Sequence, residues 1–179
     1  MSAARDSSAR AFAAQGWCLL ADAAPADEVQ ALLGQLPSES RAGAGTRQLL
    51  AAPWCAALAR RLGAMLVARQ LLPATGVAVQ CTLFDKSGAR NWLVPWHQDT
   101  SIPACGGARE AVVKEGECHV QPGPEVLASL VAVRLHLDDC GPEAGPLRVI
   151  SGSHRCGLLD PERIAAMRTD SPAVTCIAR

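Results

Sequence analysis

The sequence has no excess of either charge and no long apolar run, and these absences exclude several classes of protein. Its 17 basic residues balance its 17 acidic residues, so the formal net charge is zero. Sites for nucleic acids and for acidic membrane surfaces need a basic excess, so we expect neither partner. No apolar run reaches the roughly 18 residues that a membrane-spanning helix needs.

Paired cysteine motifs and export signals are missing as well. The eight cysteines include no C-x-x-C pair, and the N-terminus has neither a continuous apolar stretch nor a cleavage signature. We therefore expect free thiols, a reducing compartment and a cytoplasmic location. Most of these cysteines are expected to be small buried hydrophobic side chains. A zinc site of Cys140, His154 and Cys156 remains an alternative, although its spacing matches no usual structural zinc motif.

The hydrophobic pattern predicts a helical first part, about residues 1–75, and a β-rich part, about residues 77–179, within a single domain. Apolar residues at helical spacing predict helices over residues 25–36 and about 53–71. The polar residues 1–10 are expected to fray. A short strand is expected at residues 16–21.

The second part changes to a period of two, which is typical of strands. The predicted strands cover residues 77–84, 92–96, 127–137, 146–150 and 174–177. Residues 87–91 and 142–145 are predicted turns, residues 101–123 are expected to be irregular, and Asp160 and Pro161 begin a last helix. Helices followed by short strands favour an α+β domain, mainly β in its core, with a sandwich or barrel architecture.

The chemically informative segment is Trp96-His97-Gln98-Asp99, at the end of a predicted strand. Positions i and i+2 of a strand share a face, so His97 and Asp99 are expected to point the same way. An imidazole beside a carboxylate supplies two ligands of the facial site of two histidines and one carboxylate that holds ferrous iron. Alone, a His-x-Asp pattern is common, and its meaning depends on context.

The context is specific. After Trp96-His97-Gln98-Asp99 come Leu137-Asp138-Asp139-Cys140 and Gly145-Pro146-Leu147-Arg148-Val149-Ile150, followed by Gly152-Ser153-His154-Arg155. Together with the segments 82–86, 91–94 and 120–122, these motifs resemble the phytanoyl-CoA dioxygenase family over about residues 16–159. The resemblance implies a double-stranded β-helix, a cupin-like jelly roll with helices packed outside it. It also implies an oxygenase that uses Fe(II), O2 and 2-oxoglutarate.

The resemblance assigns roles to four residues. It implies that His97 and Asp99 are iron ligands and that Thr82 and Lys86 bind the 2-oxoglutarate cosubstrate. Halogenating relatives lack the carboxylate, so Asp99 favours hydroxylation of a small organic substrate over halogenation. The resemblance also implies a structural role for His154, although this histidine is the obvious alternative for a second histidine ligand.

The chain also departs from the family pattern. Relatives carry a distal histidine ligand and an arginine for the cosubstrate on later strands, and the sequence ends at Arg179 without either. We therefore expect the C-terminal strands of the β-helix to be missing from this chain. The alternative function is an inactive, truncated cupin-like binding module. The substrate and the oligomeric state stay open.

Overall fold

Three helices form the N-terminal part: α1 (Ser2–Gln15), α2 (Ala26–Gln35) and α3 (Pro53–Ala68). The computed structural model describes residues 2–36, 46–85, 93–104, 111–114 and 116–178, without the side chains of residues 2–6 and 114. The predicted helices α2 and α3 are confirmed. Pro53 begins α3 because its fixed φ and missing N–H suit the first helical position.

Helix α1 corrects the expectation that residues 1–10 fray. Its C-terminal end is capped by Gly16, whose φ of 82° is left-handed and whose N–H donates to the Phe12 carbonyl over 2.8 Å. Glycine adopts this conformation at little cost, which is why it commonly ends helices. The same geometry excludes the strand that was predicted at residues 16–21, where no strand is found.

The helical part has its own small core. The buried side chains there are Leu32, Leu49, Cys55, Leu66 and Leu71. An ion pair between Arg61 Nε and Glu28 Oε1, 2.7 Å apart, joins α3 to α2. Arg61 also donates to the Ala23 carbonyl over 3.0 Å, so one side chain fixes the entry to α2 as well.

Two small antiparallel sheets follow. The first contains β1 (Ile102–Pro103), β2 (Val112–Lys114) and β3 (Glu117–Val120) in the order β1-β3-β2. The second pairs β4 (Leu147–Ile150) with β5 (Ala173–Cys176), with Leu147 opposite Cys176. Along the chain, α4 (Pro124–Ser129) lies between the two sheets and α5 (Pro161–Asp170) connects β4 to β5. The predictions of β4, β5 and α5 are confirmed.

Three other predicted strands are absent from the described residues. Residues 77–85 make only a two-residue bridge, Thr46 to Leu83, and residues 93–96 and 130–137 have no regular secondary structure, with bends at Trp96 and Leu137. Alternating apolar residues form strands only where a neighbouring strand satisfies the backbone. The start of the predicted 127–137 strand is instead α4, because Pro124 favours a helical first turn.

The expectation that residues 101–123 are irregular is wrong, since they contain the first sheet. Residues 112–114 and 117–120 flank a two-residue connection that includes Gly116, with φ 83°. Two apolar runs separated by two residues with a glycine are a hairpin signal. That signal was present in the sequence but was outweighed by the surrounding glycines and prolines.

The described residues thus form a mixed helix and sheet structure with two small antiparallel sheets, and these sheets do not close into a barrel. None of the helices in the described ranges is both long and apolar enough to cross a bilayer.

Candidate metal centre

The segment from Pro95 to Asp99 presents His97 and Asp99 on one side. His97 Nε2 lies 3.5 Å from Asp99 Oδ1, and the two side chains are 53% and 84% exposed. The alternation of an extended chain explains why residues 97 and 99 share a side. The structure therefore brings together the two residues that the sequence singles out as metal ligands.

The tautomer of the neutral His97 ring follows from the hydrogen bond of Nδ1. Nδ1 lies 2.7 Å from the Pro95 carbonyl oxygen, and a carbonyl oxygen can only accept, so Nδ1 carries the proton. In the neutral ring, Nε2 then offers its lone pair towards Asp99. Metal-binding histidines generally donate their second ring N–H to a carbonyl or carboxylate in this manner, because that hydrogen bond fixes the tautomer and the ring orientation.

The side chains of Trp96 and Gln98 anchor the same segment. Gln98 Nε2 donates to the Gly157 carbonyl over 2.9 Å, and Gln98 Oε1 accepts from the Leu159 N–H over 2.8 Å. The guanidinium carbon of Arg148, in β4, lies 5.3 Å from the centre of the Trp96 ring, a cation–π contact. The segment is thus held through residues 96 and 98, while residues 97 and 99 remain open to solvent.

The donor pair fits a ferrous ion. Metal–nitrogen and metal–oxygen bonds of about 2.1 Å at a right angle place two ligand atoms about 3 Å apart, close to the 3.5 Å found here. One imidazole and one carboxylate are donors that iron(II) sites of this type use. Among the described residues no group of three His, Cys, Asp or Glu side chains comes together. The described chain therefore supplies two ligands.

The two residues expected to bind the cosubstrate are less defined. Thr82 is half-buried, and its hydroxyl oxygen accepts from Gln80 Nε2 over 3.2 Å. The hydroxyl proton of Thr82 is left to donate elsewhere. The described contacts of Thr82 do not include His97 or Asp99. Lys86 lies outside the described residues, as do Trp92 and the turn predicted at residues 87–91.

His154 has a packing role. Its motif forms a 3-10 turn, Ser153–Arg155, that lies against the end of α1. Gly152 N–H donates to the Gln15 carbonyl over 2.8 Å, and Arg155 donates to the Ala13 carbonyl over 2.7 Å. These bonds satisfy carbonyls that the last turn of any helix leaves unpaired. The imidazole of His154 sits so close to Gly16 that a side chain there would overlap it.

The zinc alternative of Cys140, His154 and Cys156 finds no support in the described residues, where these side chains form no metal-holding group. Cys140 is buried, whereas Cys156 is exposed.

Burial, followed by a hydrogen bond with the Cys81 thiol, raises the pKa of Cys55 to about 12. This thiol is therefore un-ionised at neutral pH and is a packing group, not a metal ligand or a nucleophile.

The position of His119 differs from its sequence-based interpretation. His119 was expected in an irregular loop but lies in β3, only 2% exposed, with Nε2 3.2 Å from Glu117 Oε2. Its Nδ1 is buried without a partner among the described residues. The i, i+2 spacing of Glu117 and His119 on a strand would have suggested the pair. Burial, and then the nearby Arg134, lower the pKa of His136, which Asp138 partly offsets.

A histidine and a carboxylate on the open side of one segment are two of the three protein ligands that the facial site of a mononuclear iron oxygenase uses. The family model for phytanoyl-CoA dioxygenase matches residues 35–175. The match includes His97, Asp99, the first sheet and the second sheet except for Cys176. The chain belongs to this family of oxygenases, which generally depend on Fe(II) and 2-oxoglutarate. Comparison with curated proteins and with solved structures gave no significant match.

Proposed function

We propose that the protein is a non-haem iron(II)- and 2-oxoglutarate-dependent dioxygenase that hydroxylates a small organic substrate. The observation that carries the proposal is the pairing of His97 and Asp99, with Nε2 facing Oδ1 at 3.5 Å and Nδ1 held by Pro95. Family membership supports the reaction class. We propose in addition that the complete fold is the double-stranded β-helix of a cytoplasmic enzyme, with no nucleic acid or membrane as partner.

The electrostatics of the pair favour a cation between its members. When Nδ1 carries the proton, the Nε2 lone pair and the Asp99 carboxylate point negative density at each other. A metal ion between them relieves this repulsion, because it accepts electron density from both donors. The open side of the segment gives water and ligands access to that position, because both side chains are mainly exposed.

Bound iron would supply O2 activation and a chelation site for 2-oxoglutarate. The residues of this chain have separate tasks. Asp99 would offset part of the charge of a bound metal and would occupy a coordination position that a halide needs, which favours hydroxylation over halogenation. Thr82, through its free hydroxyl proton, and Lys86, through its ammonium group, are proposed to bind the carboxylates of 2-oxoglutarate.

The second candidate is a cupin-like binding module without catalysis. It is favoured by one observation: the described residues bring together two metal ligands and no third. The two candidates share the metal position and differ in turnover, so one set of variants separates them.

The test is an anaerobic titration with Fe(II), followed by an assay for O2-dependent conversion of 2-oxoglutarate to succinate. We compare the wild type with His97→Ala and Asp99→Ala. His154→Ala is the matched control, because this exposed histidine packs on Gly16 and takes no part in the proposed site. Loss of a ligand should weaken Fe(II) binding by more than the about 10- to 100-fold that loss of an outer hydrogen-bond partner produces.

The dioxygenase proposal is wrong if both ligand variants bind Fe(II) as the wild type does, or if the control loses binding equally. Specific Fe(II) binding without any succinate formation, with 2-oxoglutarate and O2 supplied, supports the binding module instead.

A further inference from the structure

We propose that Gln98, between the two candidate ligands, is a positioning residue that sets the separation of His97 and Asp99. This inference rests on the proposed function. It adds that the geometry of the metal pair is held from the opposite side of the segment, by the backbone of residues 157–159. The observations are the two hydrogen bonds of one amide group, 2.9 Å to the Gly157 carbonyl and 2.8 Å from the Leu159 N–H.

The primary amide is matched to these partners. Its NH2 group donates and its carbonyl accepts, and the two backbone groups that it contacts belong to residues two positions apart. Both functions of the amide are therefore used, which fixes the side chain in direction as well as in distance. A carboxylate could accept from Leu159 but could not donate to Gly157. An aliphatic side chain could do neither.

The segment that receives Gln98 is itself fixed at both ends. Before it, the 3-10 turn Ser153–Arg155 is bonded to the end of α1 through Gly152 and Arg155. After it, Asp160 caps α5, because its Oδ1 accepts from the Arg163 N–H over 2.8 Å. Residues 157–159 are thus a rigid support, and Gln98 binds the segment of the metal pair to it.

The metal pair depends on this support because its own side chains pack little. His97 and Asp99 are 53% and 84% exposed, so their positions follow from the backbone between them. The side chain of Gln98 fixes the backbone of its own residue. The cation–π contact with Arg148 fixes Trp96, two positions before it. Without Gln98, residues 97–99 sample other directions, and a metal ion must restore the paired geometry at the expense of binding free energy.

The experiment measures binding of Co(II), an O2-insensitive spectroscopic probe of the site, by its visible absorption. Gln98→Leu should weaken Co(II) binding by about 10- to 100-fold, the range found for outer hydrogen-bond partners of metal ligands. Gln98→Glu keeps the bond from Leu159 and should lie between Gln98→Leu and the wild type. Gln35→Leu is the matched control, because the hydrogen bond of Gln35 among the described residues goes to the Ala31 carbonyl of its own helix.

The outcomes separate this inference from the proposed function. If His97→Ala abolishes Co(II) binding while both Gln98 variants bind within about twofold of the wild type, the positioning role is wrong and the metal site stands. If His97→Ala has no effect, the metal site and the positioning role are both wrong. A purely structural role of Gln98 would lower the melting temperature and leave the Co(II) affinity of the folded protein unchanged. Should Gln98→Leu not fold, the graded effect of Gln98→Glu decides the question.

Discussion

Replacement of Gly16 by alanine tests the contact between α1 and the turn that contains His154. Gly16 has a φ of 82°, and a left-handed conformation costs a residue with a Cβ about 1–2 kcal/mol. The added methyl group would also lie 2.7 Å from Cγ and 3.0 Å from Cβ of His154. The ring of His154 must therefore rotate away and its Cβ must give way by a few tenths of an ångström, and such overpacking costs about 1–3 kcal/mol. Gly16→Ala should therefore destabilise the docked helix by about 2–5 kcal/mol.

The two terms can be separated with a second change. In Gly16→Ala combined with His154→Ala the overlap with the ring is gone and only the 3.0 Å approach to the Cβ of residue 154 remains, so the loss should fall to little more than the conformational cost of about 1–2 kcal/mol. His154→Ala alone should change stability by no more than about 0.5 kcal/mol, because the side chain is exposed. Gly34→Ala is the matched glycine control. Its Cβ would meet nothing within 4 Å, and within α2 alanine should stabilise by about 0.5–1 kcal/mol.

Hydrogen exchange of the Gly152 amide measures this docking directly, because that N–H donates to the Gln15 carbonyl at the end of α1. A loss of 2 kcal/mol or more corresponds to at least about 30-fold faster exchange. Gly34→Ala should leave the exchange of this amide unchanged. The contact between Gly16 and His154 is contradicted if the Gly152 amide exchanges in Gly16→Ala as it does in the wild type. It is also contradicted if adding His154→Ala recovers none of the lost protection.

Two further predictions concern stability. Since the folded protein holds the pKa of Cys55 near 12 and an unfolded thiol ionises near 8.5, the unfolded state loses this proton first as pH rises. The contribution of the Cys55 thiol to the free energy of unfolding is complete below about pH 8.5, and above that pH it declines by up to about 1.4 kcal/mol per pH unit. Urea denaturation between those pH values should show a shallower decline for Cys55→Ala; an equal slope would contradict the shift. Asp160→Ala removes the cap on the Arg163 N–H and should cost about 1 kcal/mol of stability in the same assay. The control Glu162→Gln, at an exposed position, should cost less than about 0.5 kcal/mol. Equal losses in the two variants would refute the cap.

The sequence predicted the elements whose signals are local. Helix α5 begins at Asp160 and Pro161 because a cap and a proline specify a first turn by themselves. The pairing of His97 and Asp99 also follows from local alternation. Residues 77–84 and 130–137 were mispredicted because an alternating pattern does not reveal whether a partner strand is present. The hydrogen bonds of Gln98 could not be predicted from a local pattern, since its partners lie about 60 residues further along the chain.

The segment of residues 151–159 contacts two parts of the molecule that do not adjoin in sequence. Its first half bonds to α1, which precedes the matched family range, and its second half bonds to Gln98 beside the proposed iron ligands. A shared neighbour makes the two contacts thermodynamically linked, and linkage is reciprocal. If docking of α1 helps to order His97 and Asp99, then binding of a ligand by these two residues stabilises the docking of α1 by the same free energy. The N-terminal helix is in this sense a remote part of the proposed metal site.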